Sequence, residues 1–384
     1  MDSRILVVAP DFPYPPNHGG RVDVWKRILA LKDLGYKIDL LVTIKEPPSK
    51  EDIDIVKNTV DNIIIVNRHK MTKGLFSLRP HQVENRSAFI SAKLPNSYDY
   101  ALLEGSPCEA ALRNPSLKAK HIILRVHNDE ALYFKKLGDS TKSKLKSLYY
   151  YLESIKFKIS DKKLYKKIKH FLFISRDEYA KFHKEQPQKH AIFLPPVVAL
   201  STDSKPRIRE GKRVLFVGSF FMPNNRDGLE WYIENVHPHL RKIEGYKFVV
   251  AGNSKGMSLD WLTNGSYGDD IEVHDSPPSL DNLYDNAVIF INPMRFGAGM
   301  KIKTVEALCH GLPMVSTTIG LEGTGLEDGK HLYQADDSEL FAKRVAEILE
   351  DPEKGRGLVS NAIDYIEKEF NAPKKLEEFL SEIS

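Results

Sequence analysis

Cysteine is scarce: Cys108 and Cys309 are the two in 384 residues. Two distant thiols make no disulfide framework, so a reducing, cytoplasmic setting is expected. No stretch of ~18 uninterrupted apolar residues occurs, which excludes a spanning helix from the expectation. Met1-Asp2-Ser3-Arg4 leads directly into an apolar strand, which is not the layout of a secretory signal. Excess charge of one sign is also lacking, the net value being +4. No recognised nucleic-acid-binding module accompanies the basic residues, so nucleic acid is not an expected partner. No convincing cluster of metal ligands stands out, since Asp52-Ile53-Asp54 reads as a solvated helix start; neither metal nor other cofactor is expected. What is present, 41% hydrophobic and 28% charged residues, is the composition of a globular chain, and the length predicts two domains.

The first half alternates strands with helices. Residues 4–9 form a continuous apolar run of the kind buried in a parallel sheet. A proline-punctuated loop over 10–20 ends in Gly19-Gly20. Residues 21–34 show helical spacing through Val24, Ile28 and Leu31, with Gly35 at the end. A second strand over 36–43 completes a βαβ opening that lacks the G-x-G-x-x-G fingerprint. Further strands are predicted over 62–66, 98–103, 122–126 and 171–174, whereas 67–97 carries little pattern. His127-Asn128-Asp129-Glu130 follows the carboxyl end of a strand, where open α/β sheets bind ligands. A satisfied structural histidine is the competing reading, and a plain tight turn competes for Gly19-Gly20.

Residues 131–170 hold twelve lysines against Asp139, Glu153 and Asp161. Leu145, Leu148, Leu152, Ile155 and Ile159 recur at three and four residues, which predicts an amphipathic helix whose leucine stripe covers the sheet. The lysines then form either a solvated face or a peripheral contact with an anionic membrane. A polar linker over 200–211 separates domains predicted over 1–200 and 201–370. After it, 213–217 restarts the strand pattern, followed by a loop over 218–228 and a helix over 229–240. Strands over 247–252 and 271–274, helices over 339–349 and 358–370, and an amphipathic tail within 371–384 complete the chain.

The second half centres on residues 286–323. Residues 288–292 read as a buried strand. Arg295-Phe296-Gly297-Ala298-Gly299 is a glycine loop, 300–310 a helix stopped by Gly311-Leu312-Pro313, and 314–317 the next strand. Glycine admits close approach of a ligand to the backbone, and the unpaired N–H groups of a helix start favour an anion. Arg295, Lys301 and Lys303 add positive charge within nine residues. The carboxylate of Glu306 suits sugar hydroxyls better than phosphate. The stretch therefore points to a phosphate joined to a hydroxyl-rich group, with a plain αβ turn carrying solvated lysines as the competing reading.

The run RFGAGMKIKTVEALCHGLPMVSTTIGLEG resembles the donor-binding segment of GT-B glycosyltransferases, the group 1 type of bacterial polysaccharide assembly. Their pattern is E-G-F-G, four residues, then E-A, a small-G-x-P-V run and an I-G-x-E-G loop. Aligned on Glu306, Ala298 stands where the first glutamate usually does, Gly299 at its glycine, Met300 at the aromatic and Lys301 at the second glycine. The resemblance implies two Rossmann-like domains, their parallel sheets facing across a cleft, with a last helix that often crosses back to the first domain. It implies transfer of a hexose-type sugar from a nucleoside diphosphate sugar, such as a UDP-sugar, to a glycan or lipid-linked acceptor, with retention and without metal. Carried over residue by residue, Gly20, Gly218, Ser219, Arg226, Arg295, Ala298, Gly299, Met300, Lys301 and Glu306 would meet the donor. Gly19 and Asn128 would face the acceptor, and His127, Lys301 and Glu306 would serve catalysis. Ser219 replaces a common arginine, which shifts phosphate neutralisation towards Arg295 and Lys301. If the anomeric outcome were inversion, Asp11, Asp129 and Glu130 would be candidate bases. A non-catalytic nucleotide-sugar-binding protein of the same fold is the rival reading; an epimerase or a phosphorylase fits less well.

Overall fold

The computed structural model describes residues 3–16, 19–69, 77–141, 143–198, 205–206, 209–263, 270–297 and 299–384. It divides into two compact units, Met1–Val197 with Asn371–Ser384, and Val198–Phe370. In the first unit the strands are β1 (Arg4–Ala9), β2 (Lys37–Ile44), β3 (Asn62–Asn67), β4 (Tyr98–Glu104), β5 (Ala119–Val126), β6 (His170–Phe173) and β7 (His190–Phe193). They form one all-parallel sheet in the order β3-β2-β1-β4-β5-β6-β7. Strands buried on both faces explain the unbroken apolar runs. Ile5, Val7, Leu40 and Leu102 join one core, and Leu6, Val8, Leu41 and Leu103 the other. The order reverses at β1 and β4, so the loops that leave these strands diverge and open a crevice at their carboxyl ends.

The helix Ala372–Glu382 packs into the first of these cores through Leu376, Phe379 and Leu380. Phe379 stacks on His190 with ring centroids 4.8 Å apart, and the Tyr100 hydroxyl donates to the Leu380 carbonyl at 3.1 Å. Strand β7, a short edge strand paired only with β6, is absent from the sequence prediction. A buried polar knot sits at the amino ends of the strands: Asp39 accepts from Arg4, Asn62, Asn96 and Tyr98 at 2.8–2.9 Å. It is fully satisfied and lies at the amino end of β2, which marks it as structural.

The second unit carries β8 (Lys212–Val217), β9 (Tyr246–Gly252), β10 (Ile271–Asp275), β11 (Ile289–Asn292), β12 (Met314–Ser316) and β13 (Tyr333–Gln334). These are again all parallel, in the order β10-β9-β8-β11-β12-β13 with the reversal at β8 and β11. Both units are thus Rossmann-like.

Four local expectations need correction. Gly19-Gly20 opens the helix Gly19–Asp33 instead of closing a loop. The helix after β8 spans Pro223–Asn235, so Arg226 and Asp227 are helical; Pro223 starts it, where its missing N–H costs nothing. Pro238 then breaks the predicted 229–240 helix, leaving a short turn His237–Leu240. The helix predicted from residue 300 is Ile302–Cys309, with Lys301 at its N-cap.

The fourth concerns the basic segment, which forms two helices, Glu130–Ser140 and Lys144–Lys167. The longer one buries Glu153, Phe157, Ser160 and Leu164. The predicted stripe of Leu145, Leu148, Leu152, Ile155 and Ile159 is 49–83% exposed and does not cover the sheet. The helix has two apolar stripes, and the more regular one faces outward. Among the described residues, no helix is long and apolar enough to cross a membrane.

Candidate active site

In the first unit, the loops after β1, β4 and β5 enclose a cavity of about 380 Å³. Its lining includes Asp11, Gly20, Arg21, His127, Asn128 and Glu130. His127 directly follows β5, so the strand fixes its backbone while the ring turns inward. Its Nε2 lies 3.0 Å from Glu104 Oε2, and its Nδ1 lies 3.6 Å from Asp23 Oδ2. Both ring nitrogens thus face protein carboxylates.

Those carboxylates belong to a network that the sequence reading missed. Arg27 donates through Nε and Nη2 to the two Glu104 oxygens at 2.7 and 2.8 Å, and through Nη2 and Nη1 to Asp23 at 2.6 and 3.2 Å. Arg125 Nη2 adds bonds of 3.3 Å to both Asp23 oxygens, and its Nη1 donates to the Leu194 carbonyl. Burial alone would raise both acids. The guanidiniums of Arg125 and Arg27 outweigh it at Asp23, which lies well below the usual carboxylate range. Arg27 does the same at Glu104, brought down to about 2. Burial in turn brings Arg125 down to about 10. The partners lie 23 to 104 residues apart in sequence apart from the Asp23–Arg27 pair, so no short motif announces them.

Asp23, Glu104 and His127 bring potential ligand atoms within 4.8 Å of one another. Arg27 and Arg125 already occupy both carboxylates with paired, charge-assisted bonds, so the set is built as an ion-pair network and not as a vacant cation site. Of the three further acids flagged by the sequence, Asp129 caps the helix Glu130–Ser140 by accepting from Leu132 N at 2.8 Å. Asp11 and Glu130 remain on the cavity wall. Burial pushes Glu130 up to about 7, a bond from Asn128 opposing it in part.

In the second unit, the loops after β8 and β11 meet. Gly218 and Gly252 approach so closely that a Cβ on Gly252 would stand 1.9 Å from the Gly218 carbonyl. The Ser219 carbonyl accepts from Asn225 Nδ2 at 3.0 Å. Lys303 Nζ donates to Asn225 Oδ1 at 2.9 Å and lies 4.3 Å over the Phe216 ring. Burial, with the charge of Lys301 behind it, pushes Lys303 down to about 7. Gly297 and Gly299 take φ of 140° and 76°, backbone that a side chain would strain. Met300 is half-buried, and Lys301 is 6% exposed. Lys301 Nζ donates to the Gly299 carbonyl at 2.5 Å and pairs with Glu322 at 3.3 Å. Ala298 lies outside the described residues. Glu306 is half-buried one turn into the helix, beside Tyr284, whose hydroxyl is raised by burial first and by that charge second.

The structure therefore gathers Gly218, Ser219, Gly299, Lys301 and Lys303 with the unpredicted Asn225. Arg295 sits at the rim, in a bidentate pair with Asp227 at 2.9 and 2.6 Å. Arg226 is not drawn into this group: it bonds Glu230 at 2.7 Å and lies over the Trp261 ring at 5.0 Å. Helical spacing places Arg226 four residues before Glu230, a signal hidden by expecting a loop there.

Comparison with known proteins agrees with this architecture. The family model of the group 1 glycosyl transferases matches residues 211–351. An uncharacterized 44.6 kDa protein in the cps region of Klebsiella pneumoniae is 36% identical over 385 residues, covering 97% of each chain. Sucrose-phosphate synthase from Thermosynechococcus elongatus superposes with a TM-score of 0.70 at 14% identity, covering 99% of both chains. A variant of TarM from S. aureus, in complex with fondaparinux, α-GlcNAc-glycerol and UDP, superposes with a TM-score of 0.68 at 10% identity, covering 100% of both. With its doubly wound parallel sheets and its donor-type glycine segment, the chain belongs to the group 1 glycosyltransferases of the GT-B fold.

Proposed function

We propose that the chain transfers a hexose from a UDP-type sugar nucleotide to a glycan or lipid-linked acceptor in cell-surface polysaccharide assembly, with retention and without a resident metal. The cps-region relative supports the polysaccharide setting, and the UDP bound by TarM supports the donor class. The observation that carries the reading is the strained glycine pair Gly297 and Gly299 at a helix start, with the Lys301 ammonium beside it and the Lys303 amine, only partly charged near neutrality, next to that. A diphosphate matches unpaired helix N–H groups and fixed cations. In this reading Gly218 and Ser219 border the diphosphate, Lys301 neutralises it, Arg295 adds charge at the rim and Glu306 holds the ribose hydroxyls. His127, oriented by Glu104, positions the reacting sugar, with Gly19, Gly20 and Asn128 beside it on the acceptor side. A leaving nucleoside diphosphate gathers negative charge, and preorganised cations stabilise it without reorganisation.

A thermal-shift panel of nucleotide sugars tests the donor. The cognate donor at 100 times its Kd stabilises by about 2.7 kcal/mol, and nucleoside monophosphates do much less. A flat panel overturns the reading. The product anomer, followed by NMR, is expected to match the donor anomer. Inversion would instead make Glu130 or Asp11 the base, since both line the His127 cavity.

The outward stripe of helix Lys144–Lys167 is flanked along both edges by Lys144, Lys156, Lys158, Lys162 and Lys163. We further propose that it lies on an anionic bilayer face, apolar side chains entering the headgroup layer and each lysine adding about 1 kcal/mol. Sedimentation with phosphatidylglycerol-rich vesicles, release by high salt and loss of binding in a Leu148→Asp/Leu152→Asp variant are expected. Equal binding of the variant, or equal binding to neutral phosphatidylcholine vesicles, rejects the contact.

A further inference from the structure

The cavity beside His127 holds more positive charge than its own structure uses. Arg68 donates through Nη2 to the Pro10 carbonyl at 2.5 Å, and Arg86 donates through Nε to the same carbonyl at 2.9 Å. Thr43 Oγ1 donates there as well, at 2.7 Å. Three donors converge on an oxygen that has two lone pairs. Arg86 is 7% exposed and lines the cavity, and its Nη2 has no hydrogen-bond partner among the described residues. Arg21 lines the same wall, with a buried Nε that finds no partner. The nearest carboxylate, Asp11, stands 3.5 Å from both Arg21 and Arg68, too far for a good hydrogen bond to either.

The charge balance points the same way. Asp23, Glu104, Arg27 and Arg125 neutralise one another a few ångströms away. That leaves the Arg21, Arg68 and Arg86 guanidiniums facing Asp11 and a Glu130 that is only partly ionised near neutrality. Burial first, and the neighbouring Arg68 second, push Arg86 down to about 10.

We propose that this cavity binds a phosphate or diphosphate ester carried by the acceptor, gripped by Arg21, Arg68 and Arg86. A dianion supplies acceptors for the idle N–H groups and relieves the repulsion between the arginines; a single carboxylate does less of both, and a neutral sugar does neither. The cavity volume of about 380 Å³ lies within the range of about 300–1,000 Å³ usual for small-ligand sites. The word acceptor rests on the transferase reading above; the anion pocket itself does not.

The test is isothermal titration of the full chain with inorganic pyrophosphate in the presence of saturating UDP, which occupies the donor site. Saturable binding to one further site is expected. Arg21→Gln and Arg68→Gln are each expected to weaken it at least tenfold while leaving UDP affinity within twofold. Arg21 makes no hydrogen bond that holds the loop, so Arg21→Gln serves as the variant least prone to misfold, with its melting curve as the check. Farnesyl diphosphate binding more tightly than pyrophosphate identifies a lipid-borne ester, and equal binding a soluble one. No pyrophosphate binding beside UDP, or equal affinity in the wild type and both variants, overturns the proposal. Arginine-dependent pyrophosphate binding in a chain that binds no UDP would sustain the pocket and remove the transferase reading instead.

Discussion

Replacing Lys301 by alanine is expected to lower kcat/KM for sugar transfer by about 10²–10³-fold, the range seen when one preorganised charge-stabilising donor is removed. The ammonium is almost wholly buried, anchored on the Gly299 carbonyl and Glu322, and it sits at the start of helix Ile302–Cys309. A charge fixed there strengthens its interaction with a departing diphosphate and needs no rearrangement during reaction. A purely structural role predicts a different pattern: a lower melting temperature with kcat intact. Steady-state transfer, donor hydrolysis and UDP affinity, measured on the folded variant, separate the two. Unchanged kinetics would take Lys301 out of the site. Glu306→Ala is expected to act mainly on donor affinity, by about 10-fold, the cost of one hydrogen bond to a charged group.

Arg27→Ala should be the most destabilising single change in the first unit. It strips Glu104 of two bonds and Asp23 of two more, all buried. Breaking such a pair costs about 3–5 kcal/mol, because the remaining charge is left without its partner. For a unit of this size each kcal/mol moves the melting temperature by about 2–4 °C, so a fall of roughly 6–20 °C is expected. The pH dependence sharpens the test. Asp23 and Glu104 have folded pKa values below their unfolded ones, so their contribution is complete above about pH 4–5 and fades as pH falls towards about 2. Without Arg27, burial raises Glu104, and protonation on acidification then favours the variant's folded state. The gap between wild-type and variant melting temperatures should therefore narrow from pH 7 to pH 4. A gap that stays constant would mean that Arg27 contributes packing and not charge.

The extent to which each element could be read follows from its length and neighbours. β1, β4 and β5 were legible because strands buried on both faces need unbroken apolar runs, and that demand is written residue by residue. β7 and β13 were not, because each is a short strand at the edge of its sheet and acquires strand geometry from the single partner it pairs with. The glycine loop at 295–299 was readable because glycine placement and charge are local properties. Arg226 was misplaced because Pro223 starts the helix earlier than the apolar period suggests, and helical geometry then pairs it with Glu230. The leucine stripe of helix Lys144–Lys167 shows how far periodicity goes: it announces an amphipathic helix without saying which of two apolar faces is buried.

Order along the chain determined the α/β class, the division into two halves and the strand, glycine loop and helix around Glu306, since hydrophobic period, glycine placement and local charge act over a few residues. Tertiary structure alone decided the salt-bridge network around His127 and the arginines that converge on Pro10. Those contacts join side chains that are far apart in sequence, and a buried charge declares its partner only after the sheet has brought the two within hydrogen-bond reach.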